Sequence, residues 1–310
     1  MNRRDTFQPK HYATILRDPD GILRDLQAAL CSFTGKSRCV LCSSGSAALY
    51  MALRAHRPGT LAIPASTFRA IHEACTLCGV GTEIIDTDPE TWQSDMACID
   101  VMTSPVHNYG CVDDAAQSCW QPRIVDAAAA LLTPGAFDGD GTFCVSFNWN
   151  KTISGGGGGA LLTDDDDIAN LCEGLKRHRG HGAFNFQMPA LCAGEVYSQL
   201  ADADARVRHL RDLSAAYDRE LASRGFGAYP RGSTRWLTGT MLRDTASVES
   251  AMQRLAAMGY ATRRAWMPLG DHVACPGAWA IYERGLLLPG GYEVTVENVK
   301  EICGTLDVLR

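Results

Sequence analysis

The chain has 310 residues, 46% of them hydrophobic, and a formal net charge of −6. That length and apolar content suffice for a full core, while the charge offers no basic field for a phosphate backbone and so argues against nucleic acid as a partner. No run approaches 18 apolar residues without a charge, which excludes a membrane-spanning helix, and Met1 to Lys10 lack the apolar stretch of a signal peptide, so a cytoplasmic location is expected.

From about residue 20 to residue 175, short apolar runs alternate with helical patterns, the signature of a mostly parallel sheet covered by helices on both faces. Strands are predicted at Cys39–Cys42, Thr60–Ile63, Glu83–Asp86, Val101–Ser104, Arg123–Asp126, Thr142–Phe147 and Gly159–Leu162. The first runs into Cys42-Ser43-Ser44-Gly45-Ser46-Ala47-Ala48-Leu49, which opens a helix continuing to about Arg54. Small residues there leave backbone N–H groups open, and the helix dipole adds positive charge, so a phosphate fits; a plain Ser/Gly helix cap explains the same residues. Two Cys-x-x-Cys pairs, Cys39 with Cys42 and Cys75 with Cys78, invite a zinc reading. Placed on a strand and a helix they lack the tight knuckle zinc needs, and the thirteen scattered cysteines read as reduced core residues with no metal.

Arg123-Ile124-Val125-Asp126 is an apolar strand ending in a carboxylate and followed by four alanines. Strand ends face the ligand crevice in open α/β sheets, so Asp126 is placed to meet a bound group, although capping the next helix is an equal use. The strongest segment is Val145-Ser146-Phe147-Asn148-Trp149-Asn150-Lys151, followed by five glycines, Gly155 to Gly159. Only five lysines occur in the chain, and Lys151 lies in a loop at the crevice rather than on a helix surface. A desolvated lysine there becomes a nucleophile for carbonyls. The run Asp164 to Asp167 reads as a solvated helix cap. Arg177-His178-Arg179-Gly180-His181-Gly182 serves either an anionic ligand or a helix C-terminus.

Cys192 to Ser223 is predicted as one long charged amphipathic helix bridging two domains, with residues 1–190 forming the larger and 191–310 the bridge and a smaller α+β domain. Helices are expected at Ser247–Met258 and Val296–Leu309, and Trp236, Trp266 and Trp279 are assigned to the core.

A phosphate site, a carboxylate for a ring nitrogen and a lysine amine for an aldehyde together describe pyridoxal 5'-phosphate. Asp126 would keep the pyridine nitrogen protonated, and Phe68 could stack on the ring face or simply belong to the core.

The order of these pieces resembles the DegT/DnrJ/EryC1/StrS (sugar) aminotransferase family of fold type I pyridoxal phosphate enzymes. The resemblance is carried by Ser44-Gly45-Ser46-Ala47-Ala48-Leu49, Pro64 to Phe68, Val106-His107-Asn108-Tyr109-Gly110, Asp126-Ala127-Ala128, Ser146-Phe147 with Lys151 four residues on, Gly157-Gly158-Gly159 and Leu286-Leu287-Leu288-Pro289. It implies an aspartate-aminotransferase-like large domain, a seven-stranded sheet between helices, and transfer of an amino group from glutamate or glutamine to the keto group of a nucleotide-linked sugar or specialised metabolite. It implies Lys151 as the Schiff-base lysine, Asp126 on the pyridine nitrogen, and Gly45, Ser46, Ala47 and Ser146 around the phosphate. Phe68 is implied as the stacking aromatic, and Asn185 as reaching the phosphate of a neighbouring subunit, hence a homodimer with shared sites. The chain departs from the family at Ala129, where a glutamine is usual, at Gln187, where an arginine is common, and at Gly270, in place of a histidine. Those departures keep a pyridoxal phosphate lyase, aldolase or decarboxylase open as an alternative. A non-catalytic cofactor-binding accessory protein is a third reading, against which the retention of both Lys151 and Asp126 speaks.

Overall fold

Strands that carry apolar side chains on both faces cannot leave either face to water, so each must be covered by helices. The computed structural model describes residues 13, 15, 17–96, 99–112, 123–177 and 183–309, and follows that rule. Strands β1 (Arg38–Cys42), β2 (Thr60–Pro64), β3 (Gly81–Ile85), β4 (Met102–Thr103), β5 (Ile124–Asp126), β6 (Thr142–Ser146) and β7 (Gly159–Thr163) alternate with helices α1 (Pro19–Thr34), α2 (Gly45–His56), α3 (Ala70–Cys78) and α4 (Asp166–Lys176). Strands β3-β2-β4 are parallel, and β5-β6-β7-β1 continue the sheet through a parallel bridge between Thr103 and Arg123. Only β7 runs against its neighbours, antiparallel to both β6 and β1. The α/β architecture with a mostly parallel seven-stranded sheet is therefore as expected.

The alternation sorts the core into two layers. Cys39, Leu41, Phe143, Val145, Ala160 and Leu162 pack with Leu26 and Leu30 of α1 on one face. Val40, Cys42, Ile124, Cys144 and Leu161 pack with Leu49, Met51 and Leu53 of α2, Ile71 of α3 and Cys172 of α4 on the other. Strand β4 is shorter than its apolar run because Pro105, which has no N–H for the ladder, follows Ser104. The Asp164–Asp167 run does more than cap. Asp165 accepts from the N–H groups of Asp167 and Ile168, while Asp164 holds the buried Lys36 amine at 2.9 Å.

The predicted single helix over 192–223 is two helices, α5 (Ala190–Leu200) and α6 (Ala203–Ser223). The break at Ala201-Asp202 lets the two serve different surfaces. Helix α5 buries Ala193 and Val196 in the first layer, whereas α6 starts there with Ala203 and Leu210 and continues into a separate cluster through Leu213, Tyr217 and Leu221. That cluster includes Val248 and Leu255 of α7 (Thr245–Ala257) and Val299 and Ile302 of α9 (Val296–Gly304). It lies against a three-stranded antiparallel sheet, β8 (Gly239–Met241), β10 (Gly285–Leu287) and β9 (Arg263–Arg264), with α8 (Pro276–Arg284) preceding β10. Helix α9 ends at Gly304, short of the expected Leu309, and a 3₁₀ turn covers Asp307–Leu309. Among the described residues no helix is long and apolar enough to cross a membrane.

Candidate active site

The C-terminal ends of β1, β2, β5 and β6 open on one crevice, the usual ligand edge of such a sheet. At the end of β1, Ser44 caps α2, its hydroxyl oxygen accepting from the Ala47 N–H at 3.1 Å. Gly45 is buried at the first turn, and a Cβ there would lie 2.8 Å from the Ser146 Cβ at the end of β6. The small residue thus draws Ser146 onto the helix start. Ser46 is exposed beside it, and the Ser146 hydroxyl accepts from the Asn148 N–H at 3.3 Å.

Asp126 ends β5, is buried, and accepts from the Ala128 N–H at 3.0 Å. Burial raises its pKa, while the Ala128 N–H and the Lys151 charge pull it down. His107, also buried, donates its own N–H to the Asp126 carbonyl, and its ring lies 3.0 Å from the Ala136 carbonyl; burial pushes its pKa down to about 4, so it braces the strand end as a neutral ring.

Lys151 follows β6 in a tight turn, its N–H donating to the Asn148 carbonyl at 2.9 Å. The loop that returns to β7 is held from outside by Gln199 of α5, which bonds both the N–H and the carbonyl of Ser154. Its last two residues must be glycine. Gly158 has φ +102, and a Cβ on Gly159 would sit 2.4 Å from the Ser44 carbonyl carbon, so β7 touches the helix-opening loop backbone to backbone. Burial lowers the Lys151 pKa to about 8, opposed by Asp126 and assisted by the Arg263 charge. Its Nζ lies 4.4 Å from the centroid of the Trp236 ring. Lys36 and Lys176 are instead held by Asp164 and Glu173.

The structure thus gathers Gly45, Ser46, Ala47, Ser146, Asp126 and Lys151 on one edge of the sheet. Phe68 lies beyond β2, is 49% exposed, and meets Trp266 edge-on at 5.1 Å between centroids. Asn185 is exposed, and its side-chain oxygen accepts from Gln187; the neighbouring Phe186 carbonyl accepts from the Ser43 N–H at 2.7 Å, which ties this segment to the helix-opening loop. The basic run from His178 to Gly182 lies outside the described residues. Gly270 abuts Cys275, whose Sγ would be 2.5 Å from an added Cβ, so no larger side chain fits without rearrangement.

Sequence reasoning missed the facing wall. Trp236 is buried as expected of core, yet its ring covers the Lys151 amine; its N–H donates to the Tyr109 carbonyl at 2.7 Å, which pins it across the crevice. Arg263 lies with its guanidinium carbon 4.0 Å from the Trp266 ring centroid and 5.2 Å from that of Trp236. Only the pairing of β9 with β10 brings it there, and no local motif signals that pairing.

Comparison with known proteins agrees with this geometry. The chain is 25% identical over 333 residues to GDP-perosamine synthase of Caulobacter vibrioides, covering 91% of this chain and 88% of that protein. Among solved structures, the PLP-form of Spr1654 from Streptococcus pneumoniae superposes with a TM-score of 0.83 at 20% identity, covering 93% of this chain and 91% of the other. DesI, solved in the presence of its TDP-sugar product, gives 0.81 at 22% identity over 96% and 88% of the two chains. A family profile matches residues 21–307, nearly the whole length, and the chain belongs to the DegT/DnrJ/EryC1/StrS aminotransferase family.

Proposed function

We propose that this aminotransferase uses pyridoxal 5'-phosphate at Lys151 to move an amino group from glutamate or glutamine to the keto carbon of a nucleotide-linked sugar. The reading is carried by one observation: a lysine with a lowered pKa and a buried aspartate, each within the other's field, beside a capped helix N-terminus. That donor set suits the cofactor, since the helix start offers N–H groups to a phosphate, Asp126 a carboxylate to a pyridine nitrogen and Lys151 an amine to an aldehyde. When bound, the cofactor supplies the carbonyl that takes up the amino group and a ring that withdraws electrons from the adjacent carbon.

The protein's own groups do the rest. Asp126 holds a proton on the ring nitrogen, and the positive ring in turn offsets the cost of burying the carboxylate. Ser46, Ala47 and the Ser146 hydroxyl bind the phosphate, for which the Ala47 N–H must be shared with the Ser44 cap. Phe68 would pack on the ring face. With a pKa of about 8, the Lys151 amine would be able to take a proton from the donor α-carbon at mildly basic pH. Trp236 covers that amine and keeps water from it.

Residues 1–190 form the cofactor domain and 191–310 the bridging helices and smaller domain, a division supported by the separate core around Leu213, Tyr217 and Val299. The protein acts in the cytoplasm as a homodimer with shared sites, Asn185 reaching the partner's phosphate; the exposed Phe184 beside Asn185 supports an interface there. The test is a half-reaction: the cofactor-loaded protein given L-glutamate or L-glutamine should yield pyridoxamine phosphate and the corresponding 2-oxo acid. Loading without that product from either donor would overturn the reading.

A further inference from the structure

The donor's carboxylate still needs a partner, and one cation beside the site has an edge with no acceptor among the described residues. In β9, Arg263 and Arg264 point to opposite faces of the small sheet, as successive strand residues must. Arg264 faces the other way and has partners for both terminal nitrogens, pairing with Glu249 at 3.0 Å and donating to the carbonyls of Tyr282 and Glu283. Arg263 pairs across the sheet with Leu287, which belongs to the aromatic cluster of Trp92 and Tyr109, so it faces the crevice.

There its guanidinium lies near the rings of Trp236 and Trp266. Aromatic rings interact with a cation through its charge and faces. For N–H groups they are at best weak acceptors. Nε and Nη2 of Arg263, the two nitrogens that share one edge of the guanidinium, are buried and lack a hydrogen-bond partner among the described residues. The buried Arg235 shows what a satisfied guanidinium looks like in this fold: it donates to Thr238, Pro230, Gly232, Ser214 and Asp218. Burying such an edge unpaired is costly, more so when it is charged, and its geometry matches the two oxygens of a carboxylate.

We propose that Arg263 binds the carboxylate of the amino donor, through the Nε and Nη2 edge, while the donor's amino nitrogen lies at Lys151. The two protein cations flank one tryptophan, with the Lys151 amine 4.4 Å and the Arg263 carbon 5.2 Å from the Trp236 centroid. An α-amino acid likewise carries its amine and its carboxylate on one carbon, whereas the phosphates of a nucleotide sugar are separated from the keto carbon by the sugar itself. The inference rests on the amino-group reading of the Lys151 site.

The experiment compares wild type with Arg263→Gln, Arg263→Lys and, as a neighbouring control, Arg264→Gln, all loaded with pyridoxal phosphate. Binding of 2-oxoglutarate, which carries the carboxylate but no amine to transfer, is measured by calorimetry alongside L-glutamate half-saturation in the half-reaction. R263Q is expected to weaken both by tenfold or more with unchanged cofactor absorbance, R263K to fall between, and R264Q to match wild type. Unchanged 2-oxoglutarate and glutamate affinities in a cofactor-loaded R263Q overturn the assignment. So does a loss confined to nucleoside diphosphate binding, which would make Arg263 a phosphate ligand. A wild type that loads no cofactor overturns the functional reading itself, a result distinct from the other two.

Discussion

Two cations reach the crevice from opposite sides and are held in opposite ways. Lys151, from the loop between β6 and β7, has the buried carboxylate of Asp126 in its field and a tryptophan over its amine. Arg263, from the small sheet, has aromatic rings and, among the described residues, no acceptor for one edge of its guanidinium. In the proposed roles, the side that performs chemistry carries its own counter-charge, while the side that recognises substrate leaves its counter-charge to be supplied by the ligand.

Removing the chemical side should have the largest effect. Lys151→Ala is expected to lower turnover by about a thousandfold or more and to abolish the absorbance of the lysine-bound cofactor, measured by steady-state kinetics and spectrophotometry. Asp126→Asn should cost about a hundredfold or more in turnover. Because Asp126 raises the Lys151 pKa against burial, that variant should also shift the midpoint of the lysine's pH titration below about 8; an unmoved midpoint would separate the two groups.

The contact that joins the catalytic loop to the phosphate helix comes next. Gly159→Ala places a methyl group 2.4 Å from the Ser44 carbonyl carbon and should destabilise the protein by about 1–3 kcal/mol in chemical denaturation, with weaker cofactor retention. Asp164→Asn, far from the site, should cost only about 1 kcal/mol, because Asp164 itself is half exposed although it holds the buried Lys36. Hydrogen bonding from Lys36 and Ser37 holds the Asp164 carboxyl below its ordinary 3.8, so its contribution is present above that pH and lost as pH falls through the lower, folded-state value.

Lys151 gives a slope of the same sign at the other end of the scale, there because burial disfavours its charge. The unfolded chain binds a proton at this amine up to about pH 10.5 and the folded chain only up to about 8. Cofactor-free protein should therefore gain stability as pH rises between those values, and Lys151→Met should remove that slope, as read by denaturation at stepped pH.

Much of the fold was legible because its signals are local. Continuous apolar runs in β1, β6 and β7, a serine before a small-residue helix, an aspartate at a strand end and a lysine before glycines each announce themselves within ten residues. The opposite wall depends on contacts that no window contains. Trp236 is set by a bond to Tyr109, and Arg263 by a two-residue strand whose partner is β10. The break between α5 and α6 was hidden for the same reason: Ala201 and Asp202 carry no strong stop signal, and only the need to serve two cores shows why the helix ends. The ion pair of Asp164 carries no local signal, because its partner, Lys36, lies 128 residues earlier.

The central claim is that the amine of Lys151 is the one that holds the cofactor. Borohydride reduction of the pyridoxal phosphate-loaded protein, followed by proteolysis and mass spectrometry, should place the phosphopyridoxyl mass on the peptide containing Lys151 and on no other. The same mass on Lys36, Lys176 or Lys300, or an unlabelled Lys151 in protein that has bound the cofactor, would contradict it.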